Sequence, residues 1–301
     1  MSKARRRAAA AAIGADASAG RVLQAALAVS VAALMEHEPG ARQGDAEAVH
    51  QARVATRRLR SDLRTFAEFV DAEAASALRA ELGVAGGALG AVRDADVLHE
   101  RLARQAAGLP PGMGAGTRHL LTRLESERSV ARGELIALLD SPRYAGLVES
   151  LVQAAAVPPL TPAADRPGRA ATAAAVRRPW KRLIRAVAAL GAAPPDEQLH
   201  AVRIKAKRVR YAAEAASAVW GSPATALAKQ VARVQTVLGD LQDAAVAEAW
   251  LAGAATDAPS GVAAGALIAV QWNEAATARA AFPAAWEGVG RAKATAWLDR
   301  R

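Results

Sequence analysis

The chain has 301 residues, room for one large domain or two ordinary ones, and its 52% hydrophobic content is enough for a substantial core. Aromatics make up only 4% and cysteine is absent, which excludes disulfide staples, thiolate metal sites and cysteine nucleophiles, and suits a reducing cytoplasm. The formal net charge of +10 points to a polyanionic partner, and nucleic acid, an anionic membrane surface and polyphosphate all satisfy it.

Ala, Leu and Val must build the core, and β-branched or aromatic runs are scarce, so the fold class is all-α. The opening MSKARRRAAAAAIGADASAG joins a basic cluster to an alanine run that is short and weak for an export signal, and residues 1–19 read as a basic tail. Pro39-Gly40 closes a first apolar-periodic segment of about 20–38. Asp45 caps a second over about 46–72, and a third over about 75–107 stops at GLPPGMGAG. A fourth runs from near Thr117 to about Asp140, with a short helix after Ser141-Pro142. VPPLTPAADRPGR, residues 157–169, is the most linker-like stretch and divides the chain into halves of 20–156 and 170–301. The pattern then restarts, with segments over about 170–190 and, capped by Asp196, about 197–219. A helix opens at Ser222-Pro223 and reaches about 252, and a last segment over about 262–300 is expected to break at Pro283. No run of about 18 strongly apolar residues occurs, so no membrane span is expected.

Two blocks recur in the same order. HQARVATRRLR begins at His50 and HAVRIKAKRVR at His200, 150 positions later, pairing Arg53 with Arg203, Arg57 with Lys207, Arg58 with Arg208 and Arg60 with Arg210. LGAVRDADV at 89–97 matches LGDLQDAAV at 238–246, 149 positions later. Near-equal offsets for two separate blocks mark a duplicated helical unit, expected as two four-helix bundles about an internal pseudo-twofold axis.

On a helix, His50, Arg53, Arg57, Arg60 and Arg64 fall within a stripe roughly 80° wide and about 21 Å long, with Arg58 at its flank. Ala52, Leu59, Leu63 and Phe66 fall opposite and make a core stripe. His200, Arg203, Lys207 and Arg210 repeat the design, with Arg208 at the flank; Glu214 stands where Arg64 has its counterpart. The first stretch holds five arginines and one acid, Asp62; the second holds five Lys or Arg and no acid. A solvated helix face ordinarily mixes signs, because like charges at i,i+4 repel. A single basic run is most simply such a face, but two in register favour an anion track, in which arginine's planar fork suits phosphate oxygens.

His50 and His200 have no ligating side chain at i+3 or i+4, so a metal role is not supported, and no cofactor is implied. They are read as hydrogen-bond donors to an anion; buttressing the bundle interior is the alternative. His37, His99 and His119 are read as surface or cap residues. Gly90 and Gly239 suggest close helix approach. Asp94 and Asp243 are acids repeated in a basic chain, and are read as partners that orient the arginines; a catalytic carboxylate is the sharper alternative.

The two His-x-x-Arg-x-x-x-[Arg/Lys]-Arg-x-Arg helices, each followed by Leu-Gly-x-x-x-Asp-Ala, together with Tyr211 after the second, resemble the CHAD family of α-helical, histidine-containing domains. The resemblance covers about residues 20–300. It implies two four-helix bundles with a basic surface channel between them. It also implies non-enzymatic binding of inorganic polyphosphate and association with polyphosphate granules in the bacterial cytoplasm. The channel role carries over to His50, Arg53, Arg57, Arg58, Arg60, His200, Arg203, Lys207, Arg208 and Arg210, while Arg64 is an extension from helical geometry. Nucleic acid is the alternative partner, although single-strand binders add stacking aromatics and the basic helices carry only Tyr211. The six tryptophans, all at or after Trp180, are expected to pack the core or the bundle ends.

Overall fold

A computed structural model describes residues 13, 14, 16–290 and 292–299. Most of the basic tail expected over 1–19 therefore lies outside the described residues. Among the described residues the chain is helical, with two isolated β-bridges and no strand. Polar caps set half of the helix starts. Ser18 caps α1 (Ala19–Arg42), Asp45 accepts from the Ala48 N–H at 2.6 Å to start α2 (Ala46–Thr65), and Asp71 caps α3 (Ala72–Ala106). After α4 (Gly114–Leu139), Ser141 caps α5 (Pro142–Ala156), with proline at the first helical position. The second half comprises α6 (Gly168–Ala188), α7 (Asp196–Trp220), α8 (Ser222–Ala254), α9 (Ala258–Glu287) and a short α10 (Ala292–Thr295).

Several boundaries differ from the sequence expectation. Pro39 does not end α1, which runs through it to Arg42. A proline in the last turn removes one backbone donor, and the chain turns instead at Gly44, where φ is +79°. Pro283 likewise lies within α9. Asp196 is the first residue of α7 rather than its cap, and its carboxylate is bonded to Arg279 of α9. The 157–169 segment is tied down: the Asp71 N–H donates to Pro159 O at 2.9 Å, and the Gly168 N–H donates to Ala17 O at 2.8 Å.

Three apolar cores result. The first gathers α1, α2, α5, the start of α3 and the end of α4, around Leu23, Leu34, Leu59, Leu63 and Phe66. The second gathers α6, α7, the start of α8 and the end of α9, around Leu183, Val209, Leu227 and Phe282. The third is shared: Leu102 of α3 and Leu124 of α4 meet Leu251 of α8 and Leu267 of α9. Helices α3 and α8, of 35 and 33 residues, each about 50 Å long, pass from one core to the next and bind the halves together. Trp180 stacks on Trp286 and Trp220 packs on Trp297, as expected of packing residues, whereas Trp272 is 60% exposed. Helix α1 is long and apolar enough to cross a membrane by length and composition. Its Val22, Leu23, Leu27, Val31 and Leu34 are buried in the first core.

Candidate anion-binding groove

Helices α2 and α7 carry the two basic stretches, and they pack against each other. Their cationic edges share a common space. Burial lowers the Lys207 pKa to about 8, helped by the like charges of Arg203 on its own helix and of Arg57 and Arg53 on α2, with Asp243 opposing. Burial also lowers Arg57, which Arg53, Arg210 and Arg58 push the same way and Tyr211 opposes. Four cations, two from each half, therefore act on one another at the centre of the crossing.

Tyr211 joins the two helices there. Its buried ring has the Arg57 guanidinium carbon 5.5 Å from its centroid and that of Arg210 5.2 Å away, so guanidinium groups from both halves lie over one tyrosine. The glycines have a different role from helix–helix contact. A Cβ on Gly90 would stand 3.6 Å from Arg53 Nε, and one on Gly239 would stand 3.9 Å from Arg203 Nη2. Each glycine leaves a flat patch on which the matching arginine lies. Asp94 accepts from Arg53 Nη2 at 3.0 Å. Asp243 acts on Lys207 through its charge.

The two ends of the crossing differ. At one end burial lowers Arg64, and the charges of Arg79, Arg208 and Arg60 lower it further, so four arginines crowd together. At the other, Arg58 donates to Glu214 at 2.8 Å, and Arg210 donates to Glu214 at 2.9 Å and to Gln235 at 2.8 Å. The structure thus ties Arg58 and Arg210 to Glu214 and Arg53 to Asp94. Among the described residues no acid pairs with Arg57, Arg60, Arg64, Arg203, Lys207 or Arg208 of the groove. Arg57 Nε and Arg203 Nε are buried donors without a hydrogen-bond partner among the described residues.

The histidines are not equivalent. His200 is exposed and bonded through Nδ1 to Gln242. His50 is half-buried, and burial lowers its pKa, as do Arg93, Arg57 and Arg53, against Glu47. Arg93 and Gln242 are counterparts at the 149-residue offset, so each half sets a different side chain beside its histidine. His119 of α4 bonds the hydroxyl of Thr256, which lies just before α9, at 3.0 Å. Arg79 and Arg93 were missed in the sequence; Arg93 lies inside the second repeated block, but Arg79 carries no motif signal. Among the described residues no cluster of three or more His, Asp or Glu is placed to hold a metal ion.

The chain belongs to the CHAD family: the family model for the CHAD domain matches residues 25–252. It is 33% identical over 211 residues to the uncharacterized proteins MT2285 and Rv2226 of two Mycobacterium tuberculosis strains. That match takes in 68% of this chain and spans about 40% of the length of those relatives. Among solved structures, PptA from Streptomyces chartreusis superposes with a TM-score of 0.77 at 26% identity, over 90% of this chain and 100% of that one. The CHAD domain from the plant Ricinus communis superposes with a TM-score of 0.73 at 26% identity, over 92% of this chain and 94% of that one.

Proposed function

We propose that the protein binds inorganic polyphosphate, without catalysis, in the groove between α2 and α7. One observation carries this reading: Lys207 of α7 feels the charges of Arg53 and Arg57 of α2 as well as Arg203, so cations from both halves converge on one space. Buried donors on Arg57 and Arg203 that no acceptor among the described residues satisfies are what an anion would take up. A phosphate polymer carries no bases, and recognition needs only charge, forked donors and groove width. The family membership and the likeness to CHAD domain structures support the same ligand. The two halves are taken as units related by a pseudo-twofold axis, on which Arg53 and Arg203 rest over Gly90 and Gly239 alike. Cellular placement follows the polymer, in the cytoplasm and at polyphosphate granules.

Nucleic acid is the competing ligand class. Competition at equal phosphate concentration separates the two: polyphosphate is expected to displace duplex DNA, and displacement of polyphosphate by DNA would reverse the assignment. Incubation with polyphosphate and Mg²⁺ or Mn²⁺ is expected to release no phosphate; release that disappears with a groove variant would make the protein an enzyme.

A further inference from the structure

Beside the crossing of α2 and α7 lies a second concavity, a cleft of about 500 Å³. Its walls are small and apolar: Val22, Ala25 and Val29 of α1, Ala218 of α7, and Ala228 and Ala232 of α8. Its charged lining is Arg58, Asp62, Arg210 and Glu214, with exposed Lys229 on α8. The repeat explains why a cleft exists here. Glu214 stands where the first half has Arg64, and Ala228 stands where it has Arg79. Two bulky cations at one end of the crossing are thus an acid and a methyl group at the other.

The charges in this cleft do not pair off completely. Arg58 and Arg210 both donate to Glu214, and Arg210 also donates to Gln235. Asp62 is left over. It is 7% exposed and lines the cleft, and among the described residues no hydrogen bond or ion pair reaches its carboxyl group. A buried carboxylate is costly unless it is hydrogen-bonded or paired with a cation. An apolar cavity with an unmet carboxyl group at its wall has the character of a small-molecule site. The Nε of Arg58 is also unpaired among the described residues, but it is shielded from solvent, so Asp62 is the group a ligand would reach.

We propose that this cleft binds an amphipathic amine, its alkyl or aryl body against the alanine-rich walls and its ammonium donating to Asp62. A carboxylate or phosphate head fits poorly beside Asp62 and Glu214, because Arg58 and Arg210 already donate to Glu214, the Arg58 Nε is shielded from solvent, and the remaining cation of the lining, Lys229, is exposed. An alcohol would supply one hydrogen bond without charge. The occupant would touch Arg210 and Tyr211, whose ring also carries Arg57 of the groove. The inference is independent of the polyphosphate reading, and it runs against the overall charge: a chain of net charge +10 should here prefer a cation.

The test compares octylamine, 1-octanol and octanoate, below their aggregation limits, on the full chain at pH 7.5. Binding is followed by calorimetry and by NMR shifts at Ala218 and Ala228, so that octanoate held in the cationic groove is told apart. Octylamine is expected to bind about tenfold more tightly than the other two, the worth of one charge-assisted hydrogen bond. Asp62→Asn is expected to erase that preference while leaving 1-octanol binding unchanged. Ala218→Phe, which fills the cleft, is expected to weaken all three; if that variant does not fold, the Asp62→Asn comparison still decides. Octanoate binding in the cleft as tightly as octylamine, an unchanged octylamine affinity in Asp62→Asn, or no shifts at Ala218 and Ala228 with any of the three would overturn the proposal.

Discussion

Arg58 of α2 donates to one oxygen of Glu214 on α7 at 2.8 Å, while Arg210 donates to the other at 2.9 Å. Glu214 is the sequence counterpart of Arg64, which in turn sits in the field of Arg208, the counterpart of Arg58. Equivalent pairs thus attract at one end of the α2–α7 crossing and repel at the other. The attractive end staples the halves; the repulsive end keeps its cations open for an anion. Glu214→Ala strands two partly buried guanidinium groups and is expected to cost about 1–3 kcal/mol in denaturant unfolding. Arg143→Ala, which removes the exposed pair with Glu81, is expected to leave the midpoint unchanged.

Lys207 makes polyphosphate binding sensitive to alkali. Its pKa is lowered to about 8 in the free protein, and a bound phosphate favours the charged form. Affinity is therefore flat in this residue's contribution below pH 8 and falls above it, by up to about tenfold per pH unit. Lys207→Arg keeps its charge and is expected to remove the fall between pH 8 and 10. On the acid side, the half-buried His50 titrates below its ordinary 6.5, so affinity is expected to rise as pH drops through that lower range, and His50→Ala to abolish the rise.

Asp62 imposes a pH dependence on stability. Burial, and to a lesser extent Glu214, raises its pKa from 3.8 to about 7 against the pull of Arg58. Between those values the folded chain holds a proton that the unfolded chain has released, so stability falls as pH rises from about 4 to about 7 and levels off above. The full span corresponds to up to about 4 kcal/mol. Asp62→Asn is expected to flatten this part of the unfolding profile and to be the more stable protein at pH 8.

The glycines divide into two kinds. At Gly90 a Cβ would meet Arg53 at ordinary contact distance, so Gly90→Ala is expected to fold normally and to gain up to about 1 kcal/mol from helix propensity. At Gly116 of α4 a Cβ would fall 2.1 Å from the Pro259 carbonyl oxygen at the start of α9. Backbone cannot yield as a side chain can, so Gly116→Ala is expected to cost about 1–3 kcal/mol and to loosen the shared third core. Thermal unfolding of both variants checks the pair.

Much of this fold could be read from periodicity and punctuation. The starts at Asp45 and Ser141 follow from capping chemistry, that at Ser222-Pro223 from proline in the first turn behind Gly221, and the basic stripes from helical geometry. Pro39 and Pro283 misled because a proline costs a helix one donor without having to end it, and α1 and α9 run through them. The shared core was hidden for another reason: Leu102, Leu124, Leu251 and Leu267 show helical spacing within each helix, and nothing in that spacing says which helix they will meet. In the groove, the repeat pointed to Arg53, Arg57, Arg203 and Lys207 because it preserved them. Arg79 was invisible because its counterpart is Ala228, and the roles of Arg58 and Arg210 depended on Glu214, a residue whose meaning lies in its departure from the repeat.

The most direct test of the groove is calorimetric titration with long-chain polyphosphate and with orthophosphate at several salt concentrations, on the parent chain and on Arg53→Gln/Arg203→Gln. The account predicts much tighter binding of the polymer than of orthophosphate, an affinity that falls steeply with salt, and a double variant that binds more weakly with a salt slope shallower by about two. Equal affinity for polymer and orthophosphate, or a double variant that keeps the parental affinity and slope, would contradict it.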